Sequence, residues 1–225
     1  MKTEIHRLSL GVVCNCYLIK EDGLILVDAG VPNQGKKVLK ESKDLSIEPK
    51  DISLILLTHG HLEHIGSANE LKELTGAKVA INQHEKDWLE RGFKPAPPGT
   101  NLWGKMLMAV LKIYESRVSF PSTLVDLVLE DEEYPLESYG IHGKIIYTPG
   151  HSSGSISLLL DTGDAFVGDL VMNGFPWRIG PGMPIFAEDV NALKESWRLL
   201  LSSGAKQIYP GHGKPFKAHV LEKLL

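Results

Sequence analysis

The sequence is poor in cysteine, in aromatic residues and in long apolar runs. It contains two cysteines, Cys14 and Cys16, and only 7% of its 225 residues are aromatic. No run of about 18 apolar residues occurs, so we expect no membrane-spanning helix. Residues 1–10 lack the apolar core of a secretory signal. The protein is therefore expected in the cytoplasm, where both thiols stay reduced.

The two cysteines also form no recognisable ligand set. They stand two residues apart in a strand-like run, which places them poorly for a disulfide across the fold. The sequence has no second cysteine pair that would complete a metal site with them. We interpret both as core thiols.

The charge balance argues against another class of function. The formal net charge is -4, the sequence pI is about 6.1, and no long run of lysine and arginine occurs. Because nucleic-acid binding normally needs a basic patch, nucleic acid is not an expected partner. The length and the 43% apolar content suit one globular domain with a sizeable core, and we expect residues 1–225 to form it.

Short strand-like and helix-like segments alternate along most of the chain, which predicts a mixed α and β fold. Residues 12–20 and 24–27 are typical of a hairpin, and the apolar run 52–58 predicts a buried strand. The helical spacing over 65–75 ends at Gly76, a residue type that often stops helices. Further strands are predicted at 78–82, 144–147, 155–160, 165–167 and 207–209, and further helices at 83–91 and 189–201.

Three histidines and one acid are concentrated directly after the predicted strand 52–58. His59 and His61 stand two apart, so they project the same way in extended chain. His64 falls on the first turn of the next helix and can fold back toward them, and Glu63 belongs to the same cluster. Imidazole is the usual ligand of zinc, iron and copper, and carboxylate completes such sites. The cluster therefore predicts a transition-metal site.

Three more candidate ligands occupy similar positions. His151, Asp169 and His212 each follow a strand-like segment where a turn begins. In open α/β layers ligands gather beyond the strand ends, so side chains distant in sequence can meet there. The other histidines lack this context, and we interpret them as surface or core residues. They are His6, His84, His142 and His219.

Together these motifs resemble the metallo-β-lactamase superfamily of hydrolases. The family signature is His-x-His-x-Asp-His, followed in order by a His, an Asp and a His. The same order occurs here in His59, His61, Glu63, His64, His151, Asp169 and His212. Segments 26–30 and 148–155 resemble two further elements of the family, so the resemblance covers most of the chain.

The resemblance implies an αββα sandwich, a mixed α+β fold with metals at one edge between its two sheets. A first ion would be held by three histidines, His59, His61 and His151. A second ion would be held by an acid and two histidines, Glu63, His64 and His212. Asp169 would bridge both ions, and Asp28 would orient one of the ligands from behind.

One position departs from the family pattern. Glu63 stands where the family usually has Asp, and glutamate is one methylene longer. It either ligates the second ion after a small shift or swings away, which would leave a site for one ion. We favour retained ligation as a hypothesis. Glu63 is also placed to hold the nucleophile or to accept a proton, so it is the predicted catalytic residue.

The implied activity is hydrolysis of a small-molecule ester, thioester or lactone by a metal-bound hydroxide. One or two zinc ions per chain are expected, with iron or manganese as alternatives. Asp169, where zinc β-lactamases commonly have Cys, fits the branch that includes glyoxalase-II-like thioesterases and lactonases. Two other interpretations stay open: a mononuclear iron oxidoreductase acting on thiol or persulfide substrates, and a non-catalytic metal-binding or sensing protein.

Two segments are candidate walls of the substrate pocket. Residues 93–122 are predicted to be a helical insertion, with a Pro- and Gly-rich start and an apolar helix at 102–114. The helix would form a lid over the site or, alternatively, a packing surface or a homodimer contact. Its large apolar residues include Trp103, Met106, Met108 and Tyr114. The loop 175–178 follows Asp169 and is expected near the metals.

Overall fold

The computed structural model describes residues 2–9, 14–92, 99–100, 104, 106, 120–174 and 179–225. Within these ranges, twelve strands form two six-stranded sheets. The predicted insertion at 93–122 falls largely outside the described residues, and the loop 175–178 falls wholly outside them. The described part contains both sheets, the helices that flank them and every candidate ligand.

The first sheet combines an antiparallel meander with a set of parallel strands. Its strands are β1 (Glu4–Ser9), β2 (Asn15–Lys20), β3 (Leu24–Val27), β4 (Leu54–Leu56), β5 (Lys78–Asn82) and β6 (Leu127–Leu129). They are hydrogen-bonded in sequence order. β1 to β3 are antiparallel neighbours, whereas β3 to β6 run parallel. The carboxyl ends of β3, β4 and β5 therefore lie at one edge.

The second sheet is mostly antiparallel. Its strands are β7 (Tyr134–Pro135), β8 (Gly143–Tyr147), β9 (Ile156–Leu160), β10 (Asp164–Phe166), β11 (Gln207–Tyr209) and β12 (Phe216–Lys217). They are also hydrogen-bonded in sequence order, and only β10 and β11 pair in parallel. Because β8 and β10 both oppose β9, the strands β8, β10 and β11 run in one direction.

Helices connect the strands and cover the outer faces. They are α1 (Gly35–Asp44), α2 (Leu62–Ile65), α3 (Ala68–Thr75), α4 (Lys86–Arg91), α5 (Val190–Ser202) and α6 (His219–Glu222). α5 begins with a strong cap, since the Asp189 carboxylate accepts hydrogen bonds from the backbone of Asn191 and Ala192. Such a cap satisfies amides that have no partner inside the helix.

Apolar side chains alternate between the two faces of each sheet and build three cores. Ile25 packs between the sheets with Leu158, whereas its neighbour Leu26 faces the core beneath α1 and α3. Leu159 faces the third core, where Trp197 of α5 is buried. Strands buried on both faces have continuous apolar sequences. The layers are helix, sheet, sheet and helix, which confirms the predicted α+β sandwich.

The local predictions near the site are confirmed with one correction. β2 and β3 form the predicted hairpin, and Gly76 ends α3 with a φ of 76°. The helix predicted over 65–75 is divided, because α2 ends at Ile65 and α3 begins three residues later. Ser67 in the break donates to the carbonyl of Val31 and accepts from the backbone of Gln34. These contacts bind the break to the loop after β3.

Two expectations concerned cysteine pairing and membrane-spanning helices. Cys14 and Cys16 are both buried and form no disulfide. No helix in the described ranges combines the length and the apolar character that crossing a membrane would require.

Candidate metal centre

The candidate ligands converge at one edge of the sandwich. In the first sheet, Asp28 directly follows β3 and His59 lies shortly after β4. In the second sheet, His151, Asp169 and His212 come after β8, β10 and β11, whose ends share an edge. The carboxyl ends of strands are where ligands collect in such layers. The packing of the two sheets brings all seven predicted ligands together in two overlapping groups.

The first group consists of four buried side chains whose ligand atoms all lie within 4.8 Å of one another: His59, His61, His151 and Asp169. His151 Nε2 lies 2.8 Å from His61 Nδ1 and 3.8 Å from Asp169 Oδ2. Nδ1 of His151 contacts the Phe186 carbonyl at 2.8 Å. Because a carbonyl only accepts, Nδ1 carries the proton, and Nε2 is left as the lone-pair donor toward the group.

The second group has the same spacing and shares one acid with the first: Glu63, His64, Asp169 and His212. Asp169 Oδ1 lies 3.3 Å from His64 Nε2, and Asp169 Oδ2 lies 3.1 Å from His212 Nε2. Glu63 is partly exposed, while the other three are buried. Its carboxylate lies within the group and has not swung away, although glutamate replaces the usual aspartate.

Several buried donor atoms in these groups fit metal ligation. His61 Nε2 has no hydrogen-bond partner among the described residues, and His64 Nε2 and Asp169 Oδ1 meet only each other, at 3.3 Å. A buried polar atom left without a partner costs about 1–3 kcal/mol, a penalty that ligation removes. Imidazole and carboxylate are also the donors that zinc and related ions prefer. The residues present therefore fit a transition-metal centre.

Asp28 supports both groups from behind. Its φ of 62° lies in the left-handed region, which is uncommon for residues other than glycine. Oδ1 accepts hydrogen bonds from the Thr58 backbone at 2.8 Å and from the Thr58 hydroxyl at 2.9 Å, while Oδ2 lies 2.8 Å from His64 Nδ1. A strained backbone conformation of this kind is kept where the surrounding contacts hold it in place. The carboxylate thus orients His64 and holds the residue before His59.

Opposite charges set the protonation of two ligands. Burial alone would lower the pKa of His64, but the carboxylates of Asp28 and Asp169 outweigh burial and raise it well above its usual range. Burial alone would raise the pKa of Asp169, but His212 and His64 hold it well below its usual range. Asp169 is therefore ionised, which suits a carboxylate that the two groups share.

The turn that carries His212 is bound to β2. Asn15 Nδ2 donates to the carbonyls of Pro210 at 3.0 Å and Gly213 at 2.8 Å, and the Tyr17 hydroxyl donates to Pro210 at 2.7 Å. Burial raises the pKa of Tyr17, so its hydroxyl keeps the proton that it donates. The sequence carried no signal for either residue, because an isolated Asn or Tyr in a strand forms no motif.

The turn that carries Asp169 needs a close approach between the sheets. Gly168 has a φ of 50°, and a Cβ added there would lie 2.4 Å from the hydroxyl of Thr58. Glycine thus allows this turn to reach the segment that precedes His59. On the other side, Trp197 of α5 donates from Nε1 to the Leu170 carbonyl at 2.9 Å. Both contacts fix the shared acid.

A further buried acid, Glu85, lies beside the first group and was missed from the sequence. It follows β5, and its Oε2 accepts a hydrogen bond from the backbone of Gly60. Burial raises the pKa of Glu85 to about 7, although hydrogen bonds from Ser152, Gly60 and Gly154 oppose the rise. Its position after a strand of the parallel set is the same signal that identified His59.

Two of the remaining histidines support their interpretation as surface residues. His84 pairs with Asp131 at 3.0 Å, and His142 pairs with Asp22 at 3.2 Å. Both are surface pairs with side chains about half exposed. Neither histidine belongs to the two ligand groups.

Comparison with known protein families finds one family that accounts for both the fold and the histidine motif. The model of the metallo-beta-lactamase superfamily matches residues 10–212, a span that contains every candidate ligand. The chain belongs to the metallo-beta-lactamase superfamily. It is 29% identical over 229 residues to the probable metallo-hydrolase YflN of Bacillus subtilis, an alignment covering 94% of this chain and 84% of the relative.

Two further proteins are similar to this chain. It is 27% identical to the hydroxyacylglutathione hydrolase GloC of Haemophilus influenzae, over 71% of this chain and 68% of the relative. The crystal structure of BLEG-1, a B3 metallo-beta-lactamase, matches with a TM-score of 0.71 at 21% identity, covering 96% and 95% of the two chains. The structural likeness concerns the fold, and the family and its relatives identify the chain as a metallo-hydrolase.

Proposed function

We propose that this metallo-hydrolase uses a centre of two zinc ions to hydrolyse a cytoplasmic small molecule with an ester, thioester or lactone bond. The observation that carries the proposal is that two ligand groups share Asp169 and that one of them includes Glu63. A one-ion site would need only the first group. The carboxylate of Glu63 among the donors of His64 and His212 favours a second ion.

The residues have distinct roles in this proposal. The first ion would be held by His59, His61 and His151, and the second by Glu63, His64 and His212, with Asp169 between them. Ions bound there supply Lewis acidity toward a substrate carbonyl and lower the pKa of a water molecule toward neutrality. Glu63 is the one partly exposed member of the two groups. Its carboxylate is therefore placed to orient a water molecule or to accept its proton.

The class of substrate is supported by one relative. GloC is named as a hydroxyacylglutathione hydrolase, which acts on an acyl compound. This relationship favours an acyl bond over a phosphodiester bond as the target of the present chain.

Metal analysis combined with a substrate panel tests the proposal. Chain purified without chelators should hold two zinc ions and turn over members of a panel of esters, lactones and thioesters. His61→Ala should abolish turnover and lower the metal content, while the surface control His142→Ala should change neither. Iron with oxygen consumption would support the oxidoreductase alternative. Tight metal binding without turnover would support a sensing role.

The role of Glu63 needs its own pair of variants. Glu63→Asp keeps a carboxylate and restores the family residue, whereas Glu63→Ala removes the carboxylate. We expect two ions per chain in the wild type and in Glu63→Asp, and one ion in Glu63→Ala. One ion in metal-replete wild type would overturn the two-ion proposal.

A further inference from the structure

Glu85 is a carboxyl group that the proposed chemistry does not use. It is fully buried, in the turn between β5 and α4. It is not a member of either ligand group. Ionisable side chains are rarely buried completely unless their polar atoms have defined partners, and the partners of Glu85 are therefore informative.

The contacts of Glu85 lead to both segments that carry ligands of the first group. On one side, Oε2 accepts from the backbone of Gly60, the residue between His59 and His61. On the other side, the Gly154 backbone packs against the carboxyl group, and Ser152 and Gly154 both oppose the rise of the Glu85 pKa that burial causes. Ser152 directly follows the ligand His151. One side chain therefore joins two segments that come from different sheets.

The approach of these segments to Glu85 is close. A Cβ added at Gly154 would lie 2.5 Å from Glu85 Cγ, and one added at Gly60 would lie 3.3 Å from Glu85 Oε2. Glycine at both positions lets the backbone donors reach the carboxyl group. Oε1 is buried and has no hydrogen-bond partner among the described residues. The side chain is thus tightly enclosed and bound mainly through Oε2.

We propose that Glu85 is a positioning residue for the first ion, which holds the segment 59–61 and the segment 151–154 at the separation that ligation needs. This inference rests on the proposed metal centre. It assigns Glu85 no contact with substrate or metal. The required property is an acceptor oxygen facing the donors of Gly60 and Gly154, and a full negative charge is not needed.

The test compares Glu85→Ala, which removes the acceptor, with Glu85→Gln, which keeps one. Glu90→Gln is the matched control. Glu90 lies on α4, accepts from the backbone of Val125 at 3.3 Å, pairs with Lys86 at 3.8 Å and belongs to neither ligand group. Zinc and cobalt affinities are measured for each ion by chelator competition and by the cobalt absorption spectrum. Partners behind metal ligands typically contribute about 10–100-fold to affinity.

We expect Glu85→Ala to lower the affinity for the first ion by about 10–100-fold. The affinity for the second ion should change by less than about threefold. Glu85→Gln should recover most of the loss, and Glu90→Gln should match the wild type. Equal weakening of both ions would indicate general destabilisation and would overturn the proposal. Unchanged affinity in Glu85→Ala would also overturn it. Failure of Glu85→Gln to recover the affinity would overturn the acceptor role.

If Glu85→Ala does not fold, a second variant tests the same proposal. Gly154→Ala keeps the carboxyl group but forces Glu85 to move, and it should weaken the first ion selectively. Amide hydrogen exchange at Gly60 is measured in the metal-free variants. It should stay slow in Glu85→Gln and should accelerate in Gly154→Ala. Slow exchange and full affinity in Gly154→Ala would contradict the proposal. Wild-type chain that binds no metal would instead overturn the proposed function itself.

Discussion

His64 Nδ1 lies 2.8 Å from Asp28 Oδ2, and both side chains are almost completely buried. The other oxygen of Asp28 accepts from the backbone of Thr58, the residue before His59. A single carboxylate in strained backbone therefore supports one ligand from each of the two groups. Removing its charge without disturbing the backbone is the sharpest test of this support.

Asp28→Asn is the appropriate variant, because asparagine tolerates the positive φ of this position better than most residues other than glycine. The amide cannot reproduce both carboxylate contacts. We expect the affinity for the second ion to fall by about 10–100-fold while the fold is kept. Chelator competition measures the affinity, and circular dichroism checks the fold. Wild-type affinity in this variant would contradict the role assigned to Asp28.

Tyr17→Phe tests the binding of the His212 turn to β2. The variant removes the hydrogen bond to Pro210, whose carbonyl keeps a second donor in Asn15. We therefore expect a loss of only about 1 kcal/mol in the free energy of unfolding and about fivefold in affinity for the second ion. Urea unfolding and zinc competition measure the two effects. Tyr139, in the connection between β7 and β8, is in neither ligand group, so Tyr139→Phe is the control and should leave the metal affinities unchanged.

Gly211→Ala tests the space inside the centre. The added Cβ would lie 2.6 Å from both Asp169 Oδ1 and His64 Cε1, so a ligand must move. We expect the affinity for the second ion to fall about tenfold or more, since overpacking costs about 1–3 kcal/mol. Gly76→Ala is a contrasting variant, because Gly76 has a φ of 76° in open space. It should lower stability and leave both ions bound, and metal loss there would count against a local effect.

The buried carboxyl group of Glu85 predicts a pH dependence of stability. Its pKa is raised from 4.5 to about 7 by burial, so the folded chain holds the proton more tightly than the unfolded chain. The stabilising contribution is fully present below about pH 4.5 and is lost as the pH rises to about 7. The size of this loss is about 3 kcal/mol.

Glu85→Gln should remove this dependence. In metal-free protein, the difference in unfolding free energy between the variant and the wild type should increase in favour of the variant between pH 4.5 and 7. Urea unfolding across this range measures it. Glu90→Gln should stay parallel to the wild type. Parallel curves for Glu85→Gln would show that Glu85 does not titrate in this range.

The candidate ligands could be predicted because each follows a strand that the sequence pattern identified. The apolar run before His59 and the strand before Asp169 were found at nearly their observed positions. Strand β1 and helix α1 were not predicted, since their sequences are rich in charged and polar residues. The break between α2 and α3 was missed because it depends on contacts of Ser67 with the distant loop after β3.

The amino-acid sequence by itself determined the chemistry of the centre, because the types of donor and their order along the chain are local properties. It also determined the alternation of strands and helices, through the spacing of apolar residues. Only the tertiary structure decided that Glu63 lies among the donors of the second group and that Glu85 joins two ligand segments. The reason is physical: both facts depend on how closely the two sheets approach, a distance that no local pattern encodes.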